Sequence, residues 1–235
     1  MFSKNKKEES PQPNQWTLDG EDLAEELKYT FTTDCNDFNG DHDACFRLGE
    51  WHQVMKQNKE KALSIYGRNC SENTHAKSCF NKAAILLGAN GGENSDTEAA
   101  ELVNKACKLG HTQACDVSAS LHMQGVGCIK DTHAAMAALE VACSQNFSPS
   151  CFRLGSYYLT AFKQIGAERS PEKARPYFEQ ACSYGHPTSC HTLAVMYKKG
   201  DGVPKNDKKF AYYADLTKDL VKATGERLGV KIANS

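Results

Sequence analysis

Ten of the eleven cysteines in this chain fall into two series that repeat at nearly the same interval. Two cysteine series with a shared period of about 36 residues predict stacked helical hairpins that each carry the same internal pair. The first members of the pairs are Cys35, Cys70, Cys107, Cys143 and Cys182, and the second members are Cys45, Cys79, Cys115, Cys151 and Cys190. Cys128 lies outside both series and is a candidate free thiol.

Apolar residues flank each cysteine pair at helical spacing. In the fifth repeat, Ala174, Phe178 and Ala181 precede the first cysteine, whereas Leu193 and Tyr197 follow the second. Spacings of three and four residues place each set on one face of a helix, so we predict a helix A before the turn and a helix B after it. Four residues after each second cysteine a small residue recurs, which predicts close helix packing: Gly49, Ala83, Ala119, Gly155 and Ala194.

The turn between the two helices carries helix-stop signals. Gly110 and Gly185 follow the first cysteine by three residues, where a helix end favours a left-handed residue. Antiparallel helices at such a turn bring paired cysteines within the roughly 5.5 Å Cα separation of a disulfide. Spacing therefore predicts a disulfide within each repeat, although ten cysteines permit many connectivities. The alternative is a set of reduced, buried thiols that pack as small hydrophobic side chains.

These patterns predict an all-α solenoid over residues 19–223, with about five disulfide-stapled, TPR-like hairpins. We expect the hairpins at residues 20–55, 59–88, 97–125, 132–161 and 171–200, followed by a capping helix over residues 206–222. Phe210, Tyr213 and Leu216 repeat at helical spacing and are expected to close the end of the stack. Residues 1–18 are expected to form a disordered N-terminal extension, and residues 224–235 a flexible tail.

Charge, hydropathy and cysteine content limit the classes of partner and the cellular compartments that fit this chain. The formal net charge of −1 favours no nucleic-acid partner, and no apolar run approaches the roughly 18 residues of a membrane span. From Lys198 onward, basic residues outnumber acidic ones, which fits either a solvated end helix or a docking surface. The cysteines suggest an oxidising compartment, yet the first residues resemble neither a secretory signal nor a matrix-targeting helix. The mitochondrial intermembrane space reconciles both observations, and a cytosolic protein with reduced thiols is the alternative.

The fifth repeat resembles a known pattern most closely. Ala174, Phe178, Ala181-Cys182, Gly185, Cys190, Leu193-Ala194, Tyr197 and the segment Gly200-Asp201-Gly202-Val203 match the layout of cysteine-rich Sel1-like repeats. Repeats three and four also match, whereas repeats one and two are looser. The resemblance covers about residues 22–220 and implies a protein-binding solenoid of Sel1-like hairpins.

Within that family, the chain resembles the mitochondrial members. This resemblance implies an intermembrane-space factor needed to assemble respiratory-chain complexes, chiefly complex IV. It also implies complex IV subunits or other assembly factors as protein clients, and import through the oxidative machinery of that compartment. Haem binding and thiol reduction have been associated with the family, so haem is a possible cofactor, although composition and spacing do not require one.

Three functions remain open on sequence grounds. A non-catalytic binding scaffold needs no catalytic constellation, and no nucleophile–base motif or C-x-x-C pair occurs. A haem-binding or thiol–disulfide redox protein could use Cys128, or His52 and His122 as haem ligands, because both histidines occupy the helix B position of Tyr158 and Tyr197. The same histidines could simply replace amphipathic aromatic residues. A secreted cysteine-rich repeat protein is the third possibility.

Overall fold

A computed structural model describes residues 20–88, 92–160 and 168–227, and the expected extension at residues 1–18 lies outside them. Over these ranges the chain forms eleven α-helices and no strand. They are α1 (Gly20–Cys35), α2 (His42–Val54), α3 (Lys59–Glu72), α4 (Ala76–Gly88), α5 (Glu93–Lys108), α6 (Thr112–Gln124), α7 (Thr132–Ser144), α8 (Ser148–Leu159), α9 (Pro171–Ser183), α10 (Pro187–Lys199) and α11 (Asp207–Arg227). A short 3₁₀ turn, Asn36–Phe38, follows α1.

The helices pack in chain order, so that each hairpin contacts its neighbours along the stack. Odd-numbered helices from α1 to α9 serve as helix A, and the following even-numbered helices serve as helix B. α11 packs on α10 and closes the C-terminal end through Tyr213, Leu216 and Leu220. The prediction of an all-α solenoid of five stapled hairpins with a capping helix is therefore confirmed. No helix in the described part of the chain is long and apolar enough to cross a bilayer.

Consecutive repeats meet where a large helix A side chain covers a small helix B residue. The aromatic ring of Phe178 lies against Gly155, and the ring of Tyr66 lies against Gly49. Phe178 and Tyr66 are almost completely buried, so these contacts form the centre of the joints between repeats. Because glycine has no Cβ atom, the aromatic ring can approach the helix backbone. This packing offsets the roughly 1 kcal/mol by which glycine destabilises a helix relative to alanine.

Two helices extend beyond their expected bounds. α5 begins at Glu93 rather than at residue 97, because its polar first turn places Glu93 and Asp96 at the favourable N-terminal end of the helix dipole. α11 continues to Arg227 rather than ending at residue 222, so the first residues of the expected tail are helical. Gly225 is buried within this helix, and a single glycine lowers helix stability without ending a helix that packs elsewhere. Residues 228–235 lie outside the described ranges.

Candidate functional site

Five disulfides join the two helices of every repeat. Each links a cysteine at or near the end of helix A to one near the start of helix B, with Cα separations of 4.6 to 4.9 Å. The bonded pairs are Cys35–Cys45, Cys70–Cys79, Cys107–Cys115, Cys143–Cys151 and Cys182–Cys190. All five second cysteines are fully buried, so the bonds form part of the core and not an exposed row of reactive groups.

Cys128 carries the free thiol and lies in the loop after α6. It is half-buried, and its Sγ lies 3.6 Å from Nδ1 of His122. Burial raises the pKa of the Cys128 thiol, which disfavours the thiolate that nucleophilic or redox chemistry would use. The thiol also borders a groove of about 550 Å³ that is lined in part by Asp96 and Thr97. The local environment therefore favours an unreactive, protonated thiol over a reactive thiolate.

The two candidate haem ligands lie in different surroundings. His52 is 6% exposed on α2 and meets the Trp51 ring edge-on at 4.9 Å, and burial lowers its pKa. His122 lies on α6, two repeats further along, beside Cys128. The described residues contain no group of three or more His, Cys, Asp or Glu side chains arranged to hold a metal ion. The two histidines therefore lie on different repeats, and His52 packs as an aromatic side chain against Trp51.

Tyrosine pairs occupy the corresponding positions in the last two joints. Tyr158 stacks on Tyr177 with ring centroids 5.8 Å apart, and Tyr197 stacks on Tyr213 at 5.7 Å. The rings of both pairs are nearly parallel, with interplanar angles of 4° and 5°. Offset aromatic stacking of this kind stabilises packing beyond the area that it buries. The equivalence of these positions supports a structural role for this row of side chains.

A second set of histidines caps helix B in three repeats. The ring Nδ1 accepts a hydrogen bond from a backbone N–H three residues on, for example from Ser189 to His186 at 3.3 Å. The other two caps are His75 and His111. The same rings lie against a phenylalanine of the preceding repeat; Phe152 and His186, for example, stack at 4.6 Å. Each histidine therefore joins a helix start to the neighbouring repeat.

This set of capping histidines was not identified from the sequence. The sequence nevertheless contains a pattern that indicates these caps, because each histidine precedes the second cysteine of its repeat by four residues. The phenylalanine partners follow the second cysteine directly, at Phe46, Phe80 and Phe152. The first repeat has Asp41 at the capping position, and the fourth has Phe147, which makes no side-chain cap.

These caps predict a pH-dependent stability. Burial lowers the pKa of His111 and of His186, so the folded state favours the neutral ring that can accept the capping bond. The stabilisation is complete above the unfolded pKa of about 6.5 and is lost as the pH falls through the lower folded pKa. We expect His186→Ala to cost about 1 kcal/mol at pH 7.5 and to weaken this acid dependence, as measured by urea unfolding across pH. His191→Ala is the control, because His191 is exposed on the same helix.

The geometry defines a class of protein: a helical repeat scaffold in which a disulfide joins the two helices of each repeat. The Sel1 repeat model matches residues 42–68, 76–111, 114–147, 148–186 and 187–213. The chain therefore belongs to the Sel1 repeat family, and within it to the relatives named cytochrome c oxidase assembly factor 7. Cytochrome c oxidase assembly factor 7A of Xenopus laevis is 36% identical over 194 residues, which cover 79% of this chain and 82% of the relative.

A second relative and a solved structure are also similar to this chain. Cytochrome c oxidase assembly factor 7 of Xenopus tropicalis is 34% identical over 194 residues and covers 79% of this chain and 82% of its own length. The crystal structure of a Sel1 repeat protein from Oxalobacter formigenes superposes with a TM-score of 0.69 at 18% identity. That match covers 88% of this chain and 87% of the bacterial protein, and at this identity it supports the fold alone.

Proposed function

We propose that this chain is an assembly factor for cytochrome c oxidase that binds protein clients on its repeat surface. The names of relatives at 34–36% identity carry the proposal. A solenoid of stacked hairpins offers extended surfaces for holding another protein, and such binding needs no reacting group. Subunits of complex IV, or other assembly factors, are the proposed clients, and the role extends to further respiratory-chain complexes.

The proposed compartment is the mitochondrial intermembrane space. Five disulfides require an oxidising environment during folding, and such bonds are rare where cellular thiol systems keep cysteines reduced. Oxidation after import would trap each hairpin in its stapled form. The oxidative import machinery of that compartment is therefore a proposed transient partner, and the respiratory-chain clients would be met in the same place.

Deletion of the gene tests this function. We expect cells without the protein to lose assembled cytochrome c oxidase, measured on native gels and as oxidase activity in isolated mitochondria. Re-expression of the wild-type chain should restore both readouts, because the client is then held during assembly. Normal oxidase levels in the deletion strain would contradict the proposal. Levels of the other respiratory-chain complexes, measured on the same gels, test the broader role.

A second candidate function, haem binding, rests on the contact between Cys128 and His122. Of the two histidines that the sequence offers as haem ligands, His122 is half-exposed. His52 is buried against Trp51. Haem titration of the oxidised protein distinguishes the two functions. A Soret band that disappears in Cys128→Ser and His122→Ala supports this candidate, and the absence of any band removes it.

A further inference from the structure

The disulfide of the third repeat differs from the other four in the described part of the chain, because its first cysteine is not fully covered. The first cysteines of the other repeats are only 1% to 4% exposed. Cys107 is partly buried instead and lies at the rim of the core of its repeat. Its partner Cys115 is completely buried, so a reagent that reaches this bond meets the sulfur of Cys107.

Contacts in two neighbouring joints show what covers a first cysteine. The covering residue precedes the first cysteine of the next repeat by two positions and reaches back across the joint. Lys105 Nζ donates a hydrogen bond to the backbone carbonyl of Cys70 at 2.8 Å. Gln180 Nε2 donates to the backbone carbonyl of Cys143 at 2.8 Å. A long polar side chain at this position therefore lies over the disulfide of the repeat before it.

The first and last disulfides are also covered by the element that follows them. Arg68 holds the equivalent position in the second repeat, and its guanidinium lies 4.4 Å from the ring centroid of Phe38, in the turn after Cys35. At the other end, Leu216 and Leu220 of α11 pack against the core cluster that contains Cys182. The four well-buried first cysteines thus each have a large side chain of the next element over them or over their turn.

The joint between repeats three and four has a short side chain at the covering position. Val141 precedes Cys143 by two residues, as Lys105 precedes Cys107 and Gln180 precedes Cys182. Valine is shorter than lysine or glutamine and carries no hydrogen-bond donor. Val141 is itself 42% exposed. The residue choice at this one joint therefore leaves Cys107 accessible.

A thiol that attacks this bond comes from outside the chain. The free thiol of Cys128 lies beyond the end of α6, whereas Cys115 lies near the start of the same helix. A helix of 13 residues is about 20 Å long, so the Cys128 thiol does not reach the bond. Opening of the bond in the folded protein therefore needs an external thiol.

We propose that Cys107–Cys115 is a thiol-sensitive staple, which a small thiol of the glutathione class opens while the other four disulfides stay closed. The thiolate of the small molecule attacks Sγ of Cys107, the bond between the two cysteines breaks, and Cys115 leaves as a thiolate and takes up a proton. A second thiol molecule attacks the outer sulfur of the mixed disulfide and releases Cys107, which is protonated in turn. Two small thiols are oxidised to their disulfide, and one protein disulfide is reduced.

Opening this bond changes the middle of the stack. α5 and α6 lose the covalent link at their turn, while the repeats on either side keep their own disulfides. Thiol exchange requires access to a sulfur atom, so the covered bonds react only after the structure opens locally. The staple therefore makes the flexibility of one repeat respond to the surrounding thiols. This property goes beyond the proposed client binding and does not depend on it.

The test exposes the purified, oxidised full-length protein to reduced glutathione, stops the reaction by alkylation and maps the labelled cysteines by mass spectrometry. We expect label on Cys107 and Cys115 to appear about tenfold faster than on any other paired cysteine. Excess oxidised glutathione should re-form the bond. Amide hydrogen exchange should be faster in α5 and α6 of the selectively reduced protein than in the oxidised protein. Equal labelling rates at all five pairs overturn the proposal.

A reciprocal pair of substitutions tests the cause of this selectivity. Val141→Gln supplies the covering side chain and should slow the reduction of Cys107–Cys115 about tenfold. Gln180→Val removes the cover in the next joint and should speed the reduction of Cys143–Cys151 by a similar factor. Val221→Gln changes a comparably exposed valine on α11 and should leave all five rates as they are.

Urea unfolding of the same variants separates access from global stability. The proposal predicts that each of the two joint variants changes the reduction rate of one bond only. Rates that change together at all five bonds, in step with the urea midpoint, would show that reduction follows unfolding of the whole chain. That result overturns the proposal, and so does an unchanged rate at the targeted bond in both joint variants.

Discussion

Reduction of the five disulfides is expected to abolish the cooperative thermal transition of this protein. Each bond closes a loop of 8 to 10 residues, and the chain-entropy contribution of such a loop is about 2.5 kcal/mol. Even if the five contributions add only partly, their sum is comparable with the roughly 5–15 kcal/mol stability of a typical domain. The measurement is circular dichroism on heating, with and without a strong reductant.

The core explains why so little stability would remain. Many of its fully buried positions are alanines, whose small side chains contribute little apolar area. Removing one staple through Cys143→Ser together with Cys151→Ser should cost about 2–3 kcal/mol without leaving an unpaired thiol. Cys128→Ser is the control and should melt like the wild type, since that thiol forms no disulfide. Unchanged melting of the fully reduced wild-type protein would refute the structural role of the bonds.

Replacement of Gly155 by alanine is expected to destabilise the protein, although alanine favours helices by about 1 kcal/mol over glycine. A Cβ atom at this position would lie 2.8 Å from the buried ring of Phe178. The ring fills the joint between repeats four and five, so the helices must separate or the ring must leave its rotamer. Overpacking of this kind costs about 1–3 kcal/mol, which urea unfolding would measure.

Gly67→Ala provides the matched control. Gly67 lies within α3, and an added Cβ would meet only the flexible side chain of Lys82 at 3.4 Å or more. We expect this substitution to raise stability by about 0.5–1 kcal/mol. A second check combines Gly155→Ala with Phe178→Leu, which should show a favourable coupling energy because the smaller side chain leaves room for the methyl group. Stabilisation by both single alanine substitutions would show that the joint is loosely packed.

The repeat architecture was predictable because its signals are periodic. The paired cysteines, the small residue four positions after each second cysteine and the apolar helix faces all recur with one period. That recurrence predicted close helix packing at Gly49 and Gly155. The aromatic residues that pack on them, Tyr66 and Phe178, became evident only from the contacts between repeats. Contacts across a joint combine residues from different repeats, so no local pattern identifies them.

Other features depended on surroundings that a single sequence does not specify. His52 and His122 occupy the equivalent position in their repeats. His52 nevertheless packs on Trp51, whereas His122 lies beside Cys128. Leu27 is likewise exposed on α1, whereas the alanines at the equivalent positions of the later repeats are buried. The first turn of α5 was mistaken for a loop because polar residues at a helix start resemble those of a turn.

The most direct test of this account is a thiol count on protein trapped in intact cells by rapid alkylation, with peptide mapping and submitochondrial fractionation. The account predicts alkylation of Cys128 alone, five disulfides within the repeats and recovery from the mitochondrial intermembrane space. Alkylation of all eleven cysteines on protein recovered from the cytosol would contradict it, and the chain would then be a scaffold stabilised by buried thiols.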